Sequence, residues 1–250
     1  MNKYWWKVDN LLKQEGEIKK AQDISSLNTK VVFGSYKKVL STNNLNDANL
    51  EAHIELNPEN KLLHINQLLN IAINENYKIL DAGCGLGFTS DALRKLYKNS
   101  TVTGIDISED GINFAKKTFP NCNFLCNGID PDHEIIDKFN LIYCFEFYPF
   151  SRTTEWSIHK SYINYFLKNL SSNGKLIIYQ MQDDLNSISA NYKFLKEDFF
   201  NHNIQIHKGL SKKLINLYKY IPSYKIIGLI DGLCRILVGH QMKIIIIENN

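Results

Sequence analysis

The stretch that most constrains this chain runs from Lys78 to Ser90 and reads KILDAGCGLGFTS. A short apolar run meets an acid, Asp81, near its end. Glycines follow at alternate positions, Gly83, Gly85 and Gly87, and a helical pattern then begins. This order predicts a buried strand, a tight turn and a helix N-terminus. Glycine takes positive φ at little cost and has no Cβ to hold a ligand away. The helix start adds N–H groups without intrahelical partners and a partial positive charge. With Asp81 at the strand's carboxyl end, the stretch is a cradle for a ligand with a cationic and an anionic end.

From residue 78 onward strand and helix patterns alternate, which predicts a parallel sheet with helices on both faces. Strands are expected at 78–82, 101–106, 123–127, 141–145 and 175–180. Helices are expected at 87–98, at 109–118 behind the cap Ser108, and at 155–170, the last ending in the turn Ser171–Gly174. A polar loop with a short helical turn fills 128–138. The tail reads as a helix at 194–201, the segment 203–207, a helical insertion over about 210–238 and a buried closing strand at 242–247. Residues 1–76 carry helical spacing and no clear strand, with a polar loop at 41–49. Pro58 opens the last helix of this part behind Asn57 as N-cap. Leu62, Leu63, Ile65, Leu68, Leu69 and Ala72 supply its apolar face. Two parts follow: a helical cap or lid over 1–76 and an α/β domain over 77–250.

Charge and cysteines narrow the function. A net charge of +3 without any run of five or six like charges argues against nucleic-acid binding. The five cysteines are odd in number and show neither a CxxC pair nor zinc spacing. Cys122 and Cys126 have no histidine at a matching distance, so no metal is expected. Reduced thiols in a cytoplasmic protein fit this usage. The N-terminus lacks the apolar core of a signal peptide. Ile226–Val238 is too short to span a membrane and contains Asp231 and Arg235, so it reads as a packed amphipathic helix. A monomer or homodimer is expected.

The glycine spacing separates two cofactor classes. A dinucleotide fingerprint needs GxGxxG, but here Gly87 is the third glycine and Phe88 holds the sixth position. Asp106, at the end of the second strand, lies about twenty residues beyond the glycines, the distance at which an acid accepts ribose hydroxyls in nucleotide-binding α/β folds. Leu80–Gly87, Gly104–Ser108 and Asp130 followed by Phe139–Tyr143 together resemble the class I S-adenosylmethionine-dependent methyltransferases. The resemblance covers about residues 77–182, and more loosely 190–250. It implies a Rossmann-like, seven-stranded, mostly parallel sheet, with the N-terminal helices as a substrate-covering lid. It implies S-adenosylmethionine as methyl donor and S-adenosylhomocysteine as product. Asp81, Gly83, Gly85 and Gly87 would hold the methionine part. Asp106 would take both ribose hydroxyls, Ile107 would pack on the adenine, and Asp130 or the Ile129 backbone would meet the adenine edge. Asn140 stands where the family often carries Asp and is given no role.

Methyl transfer from a sulfonium is an in-line displacement for which the protein mainly supplies position and desolvation. A hydroxyl acceptor also needs a base. In this fold the loop after the fourth strand, Glu146–Arg152, flanks the transferring methyl. Glu146 is the first candidate for base or substrate contact; a cofactor contact or a capping acid is equally open. Tyr148 would orient the substrate or pack beside Pro149. Arg152 would bind an anionic group or lie solvated on the surface. His53 in the lid and His159 on the following helix are further candidates, each with a structural role as the alternative. Tyr36 and Trp5 would close over the site or pack in the core. No Asp/Asn-Pro-Pro-Tyr/Phe follows the fourth strand, and no Pro-Cys nucleophile, paired glutamates or magnesium-binding set appears. A metal-free O- or N-methyltransferase of small molecules remains. Overall similarity is to bacterial methyltransferases of surface-glycan biosynthesis, including those of capsule phosphoramidate groups. The rival readings are a catalytically inactive cofactor-binding partner protein and a dinucleotide oxidoreductase. The intact acids weigh against the first and the glycine spacing against the second.

Overall fold

The computed structural model describes residues 58–132, 137–152, 154–180, 187–209 and 243–249, together with 226 and 230. Of the lid expected over 1–76, residues 1–57 lie outside the described residues, and so does nearly all of the 210–238 insertion. So do 133–136, within the 128–138 loop for which a short helical turn is expected.

The Ile79-Leu80-Asp81-Ala82 run is buried throughout, as a central parallel strand covered on both faces must be. It forms β1 (Lys78–Ala82), paired in parallel with β2 (Thr101–Asp106) on one side and β4 (Phe139–Phe145) on the other. β3 (Asn123–Cys126) adds to β2, and β5 (Leu170–Gln180) adds to β4. β7 (Lys243–Glu248) pairs antiparallel with both β5 and β6 (Asn203–Lys208). The sheet order is β3-β2-β1-β4-β5-β7-β6. β1 and β4 are therefore neighbours from which the chain winds in opposite directions. That switch point is where open α/β sheets bind ligands, beyond the carboxyl ends of the strands.

Strand alternation sorts the core into two layers. Ile79, Leu141, Tyr143, Ile177 and Ile244 face one side; Leu80, Ile142, Cys144, Ile178 and Ile245 face the other. The first face is covered by α1 (Pro58–Leu69), α2 (Phe88–Leu96) and α3 (Glu109–Thr118), through residues such as Leu62, Ile65, Leu93 and Ile112. The second is covered by α5 (Trp156–Lys168), with Phe150 from the five-residue α4 (Tyr148–Arg152) and Leu195 from α6 (Tyr192–Asp198). Each large apolar side chain sealed in this way contributes about 1.5–3 kcal/mol. On α1, Leu62, Ile65 and Leu69 are buried as expected, but Leu63 is exposed. Lys61 is buried instead, its ammonium 5.4 Å from the centre of the Tyr179 ring.

Two expectations need correction. Ser171–Gly174 is not the turn that ends a helix; α5 stops at Lys168 and these residues lie within β5. Pairing of Phe139 with Leu170 starts the strand early. A register shift follows, with Asn173 at φ 59, and the backbone bonds Asn173 N–H to Asn249 O (3.0 Å) and Asn249 N–H to Gly174 O (2.9 Å) hold it. The second correction is at 194–201, where α6 begins at Tyr192, ends at Asp198 and follows a 3-10 turn at Ile188–Asn191. No helix among the described residues is long and apolar enough to cross a membrane.

Candidate active site

The turn after β1 uses its glycines for shape. Gly83, Gly85 and Gly87 have φ of 75°, 54° and 83°, a region that costs a residue with a Cβ about 1–2 kcal/mol. Space adds to this. A Cβ at Gly83 would lie 3.1 Å from the Phe147 ring, and one at Gly87 would lie 2.8 Å from the Ala115 Cβ. The Gly83 and Cys84 amides both donate to Ile105 O, at 2.8 and 3.1 Å. Gly87 then serves as N-cap of α2, with no side-chain cap on the first turn.

Two acids flank this turn. Asp81 is 1% exposed, and its Oδ2 accepts from Ser90 Oγ at 2.6 Å. Asp106 ends β2; its Oδ2 accepts the Gly85 amide at 2.9 Å and its Oδ1 the Ser108 amide at 2.8 Å. These bonds fix the plane of the Asp106 carboxylate and tie it to the turn. Burial pushes the Cys84 thiol up, and the charges of Asp81 and Asp106 push it further. Burial and Asp81 do the same at Cys144. Both thiols are therefore held protonated, and the turn lies in a negative field that favours a cation. The cradle fits S-adenosylmethionine on both counts: negative field for its ammonium and sulfonium, and an uncapped helix N-terminus for its carboxylate.

The adenine-side residues follow in order. Ile107 is half-buried next to Asp106. The Asn127 amide donates to Asp106 O at 2.9 Å, which brings the segment after β3 to the end of β2. Ile129 is buried, and its carbonyl accepts from Tyr162 Oη at 3.1 Å. Asp130 Oδ1 accepts the Asp132 amide at 3.0 Å. Burial, and then the Asp130 charge, pushes the Tyr165 hydroxyl up to about 12.

Beyond β4, Glu146 takes φ 47, an observed strain at the point where the chain leaves the sheet. Its amide donates to Tyr179 O (3.0 Å) and its carbonyl accepts from Ser151 Oγ (3.1 Å). The next residue, Phe147, reaches Gly83, so the loop after β4 and the glycine turn share one wall.

The structure thus brings Asp81, the three glycines, Asp106, Ile107 and Glu146 to the carboxyl ends of β1, β2 and β4. His159 does not join them. It is fully buried, with Nε2 2.9 Å from Pro149 O and Nδ1 3.0 Å from Asn191 Nδ2, so both ring nitrogens are engaged within the fold, against the backbone that follows β4. Tyr36, His53 and Trp5 lie outside the described residues, as do the side chains of Tyr148 and Arg152. Asn140 bridges strands at the amino end of the sheet: Oδ1 accepts the Lys78 amide (2.8 Å) and Nδ2 donates to Ser171 Oγ (3.1 Å). Ser90 and Phe147 escaped the sequence reading. A small polar residue in the first turn after a glycine-rich strand end was the available signal for Ser90; Phe147 had none. No cluster of His, Cys, Asp and Glu among the described residues could hold a metal ion.

This strand order, with a glycine turn after β1 and an acid ending β2, is the architecture of the class I S-adenosylmethionine-dependent methyltransferases. The chain belongs to the methyltransferase domain family, whose model matches residues 73–221, more than half its length. It is 30% identical over 117 residues to the malonyl-[acyl-carrier protein] O-methyltransferase of Priestia megaterium, covering 45% of this chain and 40% of that protein. It is 38% identical over 72 residues to the ubiquinone biosynthesis O-methyltransferase of Coxiella burnetii, covering 27% and 30%. The chain spans less than half the length of the curated relatives it matches first. The crystal structure of magnesium protoporphyrin IX methyltransferase from Synechocystis PCC 6803, with bound S-adenosylmethionine, superposes with a TM-score of 0.57 at 13% identity, covering 94% of this chain and 99% of that one. At that identity the likeness is one of fold.

Proposed function

We propose that this protein transfers a methyl group from S-adenosylmethionine to an oxygen or nitrogen of a small molecule. The carrying observation is the negative, glycine-walled turn between Asp81 and Asp106. Asp81, with Gly83, Gly85 and Gly87, holds the methionyl end. Asp106 accepts the ribose hydroxyls, Ile107 packs on the adenine, and Asp130 or the Ile129 backbone meets its edge. When bound, the cofactor supplies a methyl group already activated by its sulfonium. Glu146 takes the proton of a hydroxyl acceptor, or orients an amine that needs no base. Tyr148 and Arg152 on the same loop, and Tyr36 and His53 from the N-terminal part, contact the acceptor.

Oxygen is favoured over nitrogen because the relatives matched at 30% and 38% identity are named O-methyltransferases. A surface-polysaccharide precursor, or its phosphoramidate group, is one acceptor class to offer. The test uses tritium-labelled S-adenosylmethionine and separate pools of small carboxylates, phenols, sugar phosphates, phosphoramidate sugars and amines. Protein-dependent label in one small-molecule pool is expected. Label confined to protein or nucleic acid added as control would overturn the reading.

A further inference from the structure

The segment α4 is too short to stabilise itself: a five-residue helix leaves most of its carbonyls without intrahelical donors. Side chains from elsewhere supply them. Gln180 at the end of β5 donates from Nε2 to Phe150 O at 2.7 Å. Its Oε1 accepts from Ser189 Oγ at 3.1 Å and Ser187 Oγ at 3.4 Å. His159 on α5 serves Pro149 O at 2.9 Å.

The tautomer of His159 is set by its surroundings. A carbonyl only accepts, so Nε2 carries the proton. Asn191 Nδ2 also donates to Thr154 O at 2.8 Å, which fixes its amide with the nitrogen toward Nδ1 of His159. Nδ1 therefore accepts, and the ring is neutral. One turn further along the same face of α5, Tyr162 Oη donates to Ile129 O, beside the adenine-side loop.

We propose that His159 and Gln180 are positioning residues for methyl transfer, clamping the α4 carbonyls so that Phe147, whose ring meets Gly83, and Glu146 beside it keep their place at the glycine turn. Tyr162 positions the other wall, at Ile129. The Tyr162 ring also packs on Phe147 and Phe150, contacts that Phe at this position would keep, so its hydroxyl is the part that acts on Ile129. The inference rests on the methyltransferase reading of the site.

The test combines hydrogen exchange across residues 147–152 with calorimetric titration of S-adenosylhomocysteine, on the full chain. His159→Phe keeps a ring of similar volume and removes both bonds. His159→Gln offers one donor and one acceptor, like the neutral imidazole. His159→Phe is expected to speed exchange of the Phe150 and Ser151 amides about tenfold, with S-adenosylhomocysteine affinity within about threefold of the parent. His159→Gln is expected to restore most of the protection. Tyr162→Phe is expected to do the converse, weakening affinity about fivefold while 147–152 exchange as before. Parent-like exchange in His159→Phe, or no rescue by His159→Gln at unchanged Tm, would overturn the inference. Should the His159 variants fail to fold, Asn191→Ala is read in the same way, faster exchange supporting the clamp and parent-like exchange refuting it. Absence of S-adenosylhomocysteine binding by the parent protein would sink the methyltransferase reading, while the exchange comparison would still report on the clamp.

Discussion

Asp106 places one carboxylate oxygen on the Gly85 amide and the other on the Ser108 amide, so it shapes the turn as well as offering acceptors beside it. Removing it costs charge-assisted bonds and loosens the turn together. Asp106→Ala should therefore weaken S-adenosylhomocysteine binding at least about 100-fold by calorimetry; unchanged affinity would remove the residue from the site. Glu146 is a different case. It leaves β4 with φ 47, a strained geometry that the Tyr179 and Ser151 bonds hold in place. Glu146→Gln keeps the shape and loses the base. Turnover should fall about 100-fold with S-adenosylhomocysteine affinity nearly unchanged, as measured by label transfer and titration. The reverse pattern would make Glu146 a cofactor ligand.

At the scale of elements, legibility followed locality. β1, β2 and α3 have the ends their sequences suggest, because an apolar run, a glycine turn or the Ser108 cap marks each boundary within a few residues. Ser108 does cap α3, accepting the Gly111 amide at 3.1 Å. β5 begins five residues earlier than its sequence suggests, since Ser171–Gly174 carries turn chemistry, with Asn173 left-handed at a register shift, and partners in β4 and the C-terminal segment hold it in the strand. The same limit applies to the site. Asp81 and the glycines are contiguous and could be read directly. Gln180 and Asn191 act on backbone carbonyls 30 and 37 residues away and His159 on one 10 residues away; a side chain aimed at a backbone carbonyl leaves no side-chain pattern in the sequence. Asn140 illustrates a polar residue whose work lies between strands. Its bonds to Lys78 and Ser171 sit at the opposite end of the sheet from the site. Asn140→Ala should cost about 1–2 kcal/mol in urea unfolding and leave S-adenosylhomocysteine affinity as it was; a large loss of affinity would contradict this placement.

Across the whole molecule, two apolar layers enclose the sheet, and thiols are sealed into both. Burial and nearby acids hold Cys84 and Cys144 protonated, and Cys122 is pushed up to about 11 by burial, Asp91 and Asp81. The unfolded chain ionises these thiols near their ordinary value of 9.0. Above that pH the unfolded state binds fewer protons than the native one, so stability falls as pH rises. Below it, the contribution of the protonated thiols is fully present. Cys84 and Cys144 together should lower unfolding stability by about 3 kcal/mol between pH 8 and pH 10, measured by urea denaturation at each pH. A flat profile would contradict the burial described here.

The fold alone accommodates many nucleotide ligands, so the account stands on which ligand the turn from Gly83 to Gly87 accepts. Its alternating glycines and the negative field of Asp81 and Asp106 suit a sulfonium and an ammonium, and offer no dinucleotide fingerprint for a pyrophosphate. The direct measurement is a pair of calorimetric titrations of the intact chain, one with S-adenosylhomocysteine and one with NAD. Saturable binding of S-adenosylhomocysteine at one site per chain, with no heat from NAD, is the predicted result. Saturable NAD binding with no S-adenosylhomocysteine binding would contradict the account.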